Sequence, residues 1–85
     1  MAEGMKNYNE ALVSYQKALA LDPEYHLARF NLAQLLAKMG QPERAREELQ
    51  RVEEILAEQG PEVIPELREE DLEWIRSSLH KPVDN

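Results

Sequence analysis

The chain has 85 residues, no cysteine and a formal net charge of −7. A chain of this length forms one domain with a modest core, and without cysteine it has no disulfides, thiolate metal sites or cysteine nucleophile. No apolar run reaches the ~18 residues of a transmembrane helix, and the lack of cysteine predicts a reducing, cytoplasmic location.

The negative charge is concentrated in the second half of the chain. Residues 1–42 contain four acidic and four basic side chains, whereas residues 43–85 contain thirteen acidic and six basic ones. Because acidic surfaces repel phosphate groups, neither nucleic acid nor an anionic membrane is expected as a partner. The acidic half is interpreted as a solvated surface, and docking of a basic partner there is the alternative.

The first predicted helix covers about residues 8–21. Asn7 occupies an N-cap position with Glu10 three residues later, which is the pattern of a capping box. The helix is expected to end before Asp22 and Pro23, where Asp22 can cap the next helix. Its apolar residues recur every three or four positions, as on one face of a helix. They are Tyr8, Ala11, Leu12, Tyr15, Ala18 and Leu19.

The second predicted helix covers about residues 23–39 and is apolar on almost all sides. A helix of this kind lies between neighbours on both sides. A narrow polar stripe of Asn31, Gln34 and Lys38 remains, and Gly40 is a good left-handed C-cap. The apolar residues are Leu27, Ala28, Phe30, Leu32, Ala33, Leu35, Leu36 and Ala37.

The third and fourth predicted helices cover about residues 42–58 and 66–79. The third has one apolar stripe among Glu and Arg residues, so its other faces are expected to contact water. That stripe is Ala45, Leu49, Val52 and Leu56, and the fourth helix has Leu72, Ile75 and Leu79 on one face. Trp74 lies beside that face and is interpreted as a packing residue, with an interface anchor as the alternative.

A weak repeat at a shift of 34 residues links these helices. Short turns between helices of about 14 residues predict antiparallel hairpins. At this shift small residues, large apolar residues and turns recur together, as a stacked hairpin unit requires. Identical pairs at this shift include Met5 and Met39, Ala11 and Ala45, and Gln16 and Gln50.

On these residues the sequence resembles the tetratricopeptide repeat family over residues 5–58. The second-helix half of the family signature reads Ala11-x3-Tyr15-x2-Ala18-x4-Pro23, and the first-helix half reads Leu32-Ala33-x2-Leu36 followed by Gly40. Three positions depart from the family pattern: Arg29 replaces the usual tryptophan, Ala33 the usual glycine and Leu36 the usual tyrosine. The second repeat closes with Ala45-x3-Leu49-x2-Val52 and has Ala57 in place of the final proline.

The resemblance implies an all-α fold of antiparallel helix hairpins, a fragment of a right-handed α-solenoid with about four helices. Residues 5–22 would be the second helix of a repeat and residues 23–58 a complete repeat. The rest would be a linker (59–65), a C-terminal capping helix (66–80) and a tail (81–85). About three repeats are normally needed for stability. Further stabilisation is therefore expected from a longer array, from self-association or from the capping helix.

The resemblance also implies a concave groove, lined by the first helix of each repeat, that receives a peptide or a partner helix. The implied partner-binding residues are Leu27, Phe30, Asn31, Gln34, Ala37 and Lys38. Plain solvation of the polar stripe is the alternative, and Leu27 and Phe30 are also typical core residues. If the chain self-associates instead, a second copy is expected to cover the side of the first helix formed by Tyr8, Leu12, Tyr15 and Leu19.

Catalysis is not predicted. The histidines His26 and His80 have no Ser-His-Asp partners at useful spacing, and there is no metal-ligand spacing or glycine-rich phosphate loop. Acidic pairs lie beside arginines on helix faces, where i,i+4 ion pairs are expected. The sequence therefore predicts a non-enzymatic interaction module without cofactors that binds another protein or peptide. A homo-oligomeric structural domain is the alternative.

Overall fold

The computed structural model describes the backbone of residues 2–80 and the side chains of residues 7–79. This part of the chain contains four α-helices, one turn of 3-10 helix and no strand. The helices are α1 (Ala2–Leu21), α2 (His26–Lys38), α3 (Pro42–Gln59) and α4 (Glu69–His80), and the 3-10 turn is Pro61–Val63. The predicted all-α fold with about four helices is confirmed. Within residues 2–80 no helix is long and apolar enough to cross a membrane.

The first helix begins at Ala2, so the prediction of an N-cap at Asn7 is wrong. The residues before it, Ala2 to Lys6, are good helix formers with the exception of Gly4, and they extend the helix by more than one turn. Asn7 and Glu10 are exposed positions within α1 and do not cap its start. A cap pattern marks a helix start only where the preceding residues do not continue the helix.

The turn between α1 and α2 also differs from the prediction. Asp22 does not cap α2, which begins at His26 with Tyr25 in the N-cap position. Instead, the Glu24 N–H donates to Asp22 Oδ1 at 3.1 Å, and the Tyr25 N–H donates to the Asp22 carbonyl at 3.0 Å. Asp22 therefore closes the turn that contains Pro23, as aspartate does at the first position of many turns.

The turn between α2 and α3 is closed by Gly40, as predicted. Its φ of 79° is in the left-handed region. The Gln41 N–H donates to the Leu36 carbonyl at 2.9 Å, and the Gly40 N–H donates to the Ala37 carbonyl at 3.1 Å. These two bonds form a Schellman motif, which satisfies carbonyl groups at the end of α2. Pro42 then begins α3, where its missing N–H costs nothing.

The predicted linker after α3 is partly ordered. Gly60 ends α3 with a φ of 90°, and the 3-10 turn Pro61–Val63 follows. Ile64 is 2% exposed and lies in the core, so this segment packs against the helices. The fourth helix begins at Glu69, three residues later than predicted, and the Arg68 N–H donates to Asp71 Oδ2 at 3.0 Å. That bond is one half of a capping box.

Two buried clusters hold the helices together. The larger cluster joins α2, α3, the segment after α3 and α4. Its buried members are Phe30, Ala33, Leu49, Val52, Ile64 and Ile75. The smaller cluster lies between α2 and α3 and consists of Leu32, Leu36 and Ala45, with α1 packed on it. The second helix contributes to both clusters, which explains why it is apolar on almost all sides.

Candidate functional site

One narrow stripe of α2 remains open. Leu27, Asn31, Gln34 and Lys38 follow one another at spacings of three and four, so they share one face of the helix. Lys38 is exposed and the other three are half-buried. Leu27 packs against the larger core cluster with part of its side chain. The structure thus brings these four of the six predicted groove residues together on one helix face.

Phe30, another predicted groove residue, does not lie on this surface. It is 3% exposed and belongs to the larger core cluster. Its ring contacts Trp74 of α4 edge to face, with centroids 5.8 Å apart. Phe30 therefore packs beneath this surface and offers almost no area to a partner. This agrees with the alternative interpretation of Phe30 as a core residue.

Trp74 forms the wall opposite α2. The depression between α2 and α4 has a volume of about 280 Å³, and its lining residues are Gln34, Ala37, Lys38 and Trp74. A smaller depression of about 170 Å³ lies on the same side of α4 and is lined in part by Ala37, Trp74 and Ser78. Trp74 is half-buried, so it serves the core and this surface at once. We call the surface formed by these α2 and α4 residues the groove.

The contribution of Trp74 was only partly predictable. Its position beside the apolar face of α4 indicated packing, with an interface anchor as the alternative. The structure shows the packing contact and places the same ring at the edge of a depression. Which side of α2 would meet this ring depends on the path of the segment after α3. The burial of Ile64 sets that path. It was not predicted, because the prolines on either side of Ile64 indicated a linker.

An ion pair fixes α2 against α3 behind the groove. Arg29 Nη1 lies 2.8 Å from Glu48 Oε1, and Arg29 Nη2 donates to the Pro23 carbonyl at 3.3 Å. The Arg29 and Glu48 side chains are 18% and 26% exposed. A partly desolvated Arg–carboxylate contact holds its geometry better than an exposed pair. Arg29, which departs from the family pattern, thus connects α2 both to α3 and to the preceding turn.

The described residues offer little for catalysis or metal binding. No group of three or more His, Asp and Glu side chains among residues 7–79 lies close enough to hold a metal ion. His26 is half-buried, and its buried Nδ1 has no hydrogen-bond partner. The side chain of His80 lies outside the described residues.

Three of the four residues of the predicted self-association face pack against the rest of the fold. Leu12, Tyr15 and Leu19 contact the smaller core cluster of α2 and α3. Among the described helices, α1 is the one that covers this cluster of α2 and α3, and it does so with apolar residues spaced by three and four. The coverage is incomplete, because these residues and Tyr8 are all half-buried and no side chain of residues 7–21 is fully buried.

Stacked antiparallel hairpins whose central helix keeps one open stripe define a helical-repeat protein. The tetratricopeptide repeat family matches residues 2–64, which is well over half of the chain. The chain belongs to the tetratricopeptide repeat family, and membership of this family is typical of non-enzymatic protein–protein interaction scaffolds. No protein with a curated description and no solved structure matches the chain.

Proposed function

We propose that this chain is a non-enzymatic interaction module that binds a partner peptide or helix in the groove between α2 and α4. The observation that carries the proposal is the depression that Gln34, Ala37 and Lys38 form with Trp74. It combines an aromatic wall with an amide and an ammonium group, which is the mixture found at peptide-binding surfaces. Buried Phe30 holds the wall in place.

The groove residues favour a peptide with an apolar side chain next to a carboxylate. The Trp74 ring and the open edge of Leu27 would contact the apolar side chain. The Asn31 and Gln34 amides can each donate to and accept from a peptide backbone. The Lys38 ammonium would pair with the carboxylate. Phe30 is left out of this revised list because of its burial.

A matched pair of alanine substitutions tests the groove. Ala37 lines the groove and Ala20 lies on α1, and both are exposed helical alanines. Arginine is a good helix former, so Ala37→Arg and Ala20→Arg should both fold, which circular dichroism can check. We expect the immobilised wild-type chain and Ala20→Arg to capture the same partners, and Ala37→Arg to lose them. Equal capture by Ala37→Arg would contradict the groove.

Self-assembly is the second candidate function, and the incomplete cover of α1 favours it. A second copy could cover the half-buried side chains of Tyr8, Leu12, Tyr15 and Leu19 further. Such an interface would bury the same patch on both copies if it is two-fold symmetric. Sedimentation over a concentration series decides between the two functions, since a monomer at all concentrations would leave only the groove.

We also propose a cellular location for the chain and a division of its residues into repeats. The absence of cysteine supports a reducing, cytoplasmic location, and the acidic charge argues against nucleic acid as a partner. Residues 5–22 would act as the second helix of one repeat, residues 23–58 as a complete repeat and residues 66–80 as the capping helix.

A further inference from the structure

A second apolar depression lies on the other side of α4. It runs between α3 and α4, has a volume of about 290 Å³, and is separate from the groove. Leu72 and Arg76 line it, whereas Trp74 and Ser78 line the depressions on the groove side. We call this depression the slot. Its lining residues are Glu53, Leu56, Ala57, Pro61, Leu72, Ile75 and Arg76.

The segment that supplies every lining residue of the slot carries the net charge of the whole chain, although the lining itself contains one acidic residue, Glu53, and one basic residue, Arg76. Residues 53–76 contain nine acidic side chains and two basic ones, so this segment has a formal charge of −7. The rest of the chain contains eight acidic and eight basic side chains and is neutral. The excess negative charge is therefore concentrated in one segment of the chain, and a concentration of one sign of charge creates a negative potential.

Exposed carboxylates flank the slot on the α4 side. Glu69 lies three residues before Leu72 and Glu73 lies directly after it, so both are on the edge of the face that lines the slot. Both are exposed. On the α3 side, Glu54 and Glu58 are exposed next to the lining residues. An apolar depression thus lies between two helices with carboxylates beside it.

We infer that the slot binds an amphipathic helix of a partner protein, with an apolar stripe that enters the slot and Lys or Arg residues on both sides of the stripe. The apolar residues of α3 and α4 complement the stripe as one helix complements another in hairpin packing. The carboxylates complement the basic residues and favour them over acidic ones. The inference adds a second surface to the proposed interaction module.

Charge argues against α1 of a second copy as the occupant. The described side chains of α1, residues 7–21, include one basic residue, Lys17, and one acidic residue, Glu10. A helix with that balance does not supply basic residues on both sides of an apolar stripe. The experiment must still distinguish binding of a partner helix from self-association through the slot by another helix of a second copy.

The experiment uses two synthetic helical peptides of about five turns, which is long enough to span α4. Both have Leu at every third or fourth position, and the flanking positions are Lys in one and Glu in the other. Fluorescein anisotropy with the complete chain measures binding at low salt and at about 0.15 M salt, where the Debye length is about 8 Å. We expect the Lys peptide to bind at least about tenfold more tightly, a preference that salt reduces.

Ala57→Arg is the variant that tests the location. Ala57 is an exposed helical alanine in the slot, as Ala37 is in the groove, so the two substitutions are matched. Arginine at residue 57 blocks the slot and adds positive charge, and we expect at least about a tenfold loss of Lys-peptide binding. Ala37→Arg and Ala20→Arg should bind this peptide as the wild type does. The double variant Glu69→Gln with Glu73→Gln should bind severalfold more weakly and depend less on salt.

Three results would overturn the inference. They are equal binding of the Lys and Glu peptides, unchanged binding by Ala57→Arg, and a wild-type oligomer that Ala57→Arg converts to monomer. The last result would assign the slot to a second copy of the chain. Failure here is distinguishable from failure of the groove, because Ala37→Arg affects only the groove and Ala57→Arg affects only the slot.

Discussion

The rings of Phe30 and Trp74 meet edge to face, with centroids 5.8 Å apart and ring planes at 82°. This contact connects α2 directly to α4, although α3 and the segment after it separate these helices in the chain. Aromatic pairs in this arrangement contribute about 0.5–1.5 kcal/mol beyond the area that they bury. The pair therefore positions α4 as one wall of the groove.

Removal of the Trp74 ring should destabilise the fold. We expect Trp74→Ala to lower the free energy of unfolding by about 2–4 kcal/mol, because a half-buried ring is lost from the core contact. Trp74→Phe should retain most of the stability. Urea unfolding followed by circular dichroism measures both, and a Trp74→Ala variant as stable as the wild type would contradict the docking of α4 on α2.

The Arg29–Glu48 ion pair should contribute measurable coupling. Because both side chains are partly buried, we expect a double-mutant cycle with Arg29→Met and Glu48→Gln to give about 0.5–1 kcal/mol, less at high salt. The pair Arg68–Glu70 is the control, since its atoms are 3.6 Å apart and its side chains are 80% and 74% exposed. Its cycle should give no measurable coupling, and equal values for the two pairs would refute the interpretation.

The two glycine turns should respond differently to asparagine. Asparagine tolerates the left-handed conformation of a helix C-cap, so Gly40→Asn should cost less than about 1 kcal/mol. Gly60 has φ 90° and ψ 160°, a region that is almost restricted to glycine, so Gly60→Asn should cost about 1–3 kcal/mol. Thermal unfolding of the two variants provides the comparison, and equal melting temperatures would contradict it.

Ile64 should contribute as much to the stability of the fold as a core residue of a helix does. It is 2% exposed and belongs to the larger core cluster, so Ile64→Ala should destabilise the chain by about 2–5 kcal/mol. Val13 on α1 is 48% exposed, and Val13→Ala should change stability by less than about 0.5 kcal/mol. Urea midpoints measure both, and a small effect at Ile64 would show that the segment after α3 is only a connection.

The sequence was sufficient to predict the helices and their family because periodicity and turn residues act locally. The stripe of α3 and the glycine at residue 40 each define a feature through residues within a few positions of each other. The start of α1 was predicted incorrectly for the same reason. The pattern at Asn7 satisfies the local rule for a cap, but the residues before it also favour a helix.

The walls of the candidate site could not be predicted in the same way. Both the burial of Phe30 and the position of Trp74 depend on where α4 docks, and this depends on the long-range contacts of Ile64. Local signals around Ile64, between two prolines, indicate a linker. The neighbour of the apolar face of α1 stayed open for a related reason, since a sequence shows that a helix has an apolar face but not what lies against it.

The extensive contacts of this fold connect each helix with its neighbour in the chain: α1 with α2, α2 with α3, and α3 with α4. In such a linear arrangement a terminal helix can open while the remaining pair stays folded. Amide hydrogen exchange should therefore be slowest in α2 and α3 and faster towards α1 and α4. Since α4 contributes residues to both the groove and the slot, a partner bound at either surface would slow exchange in this helix first.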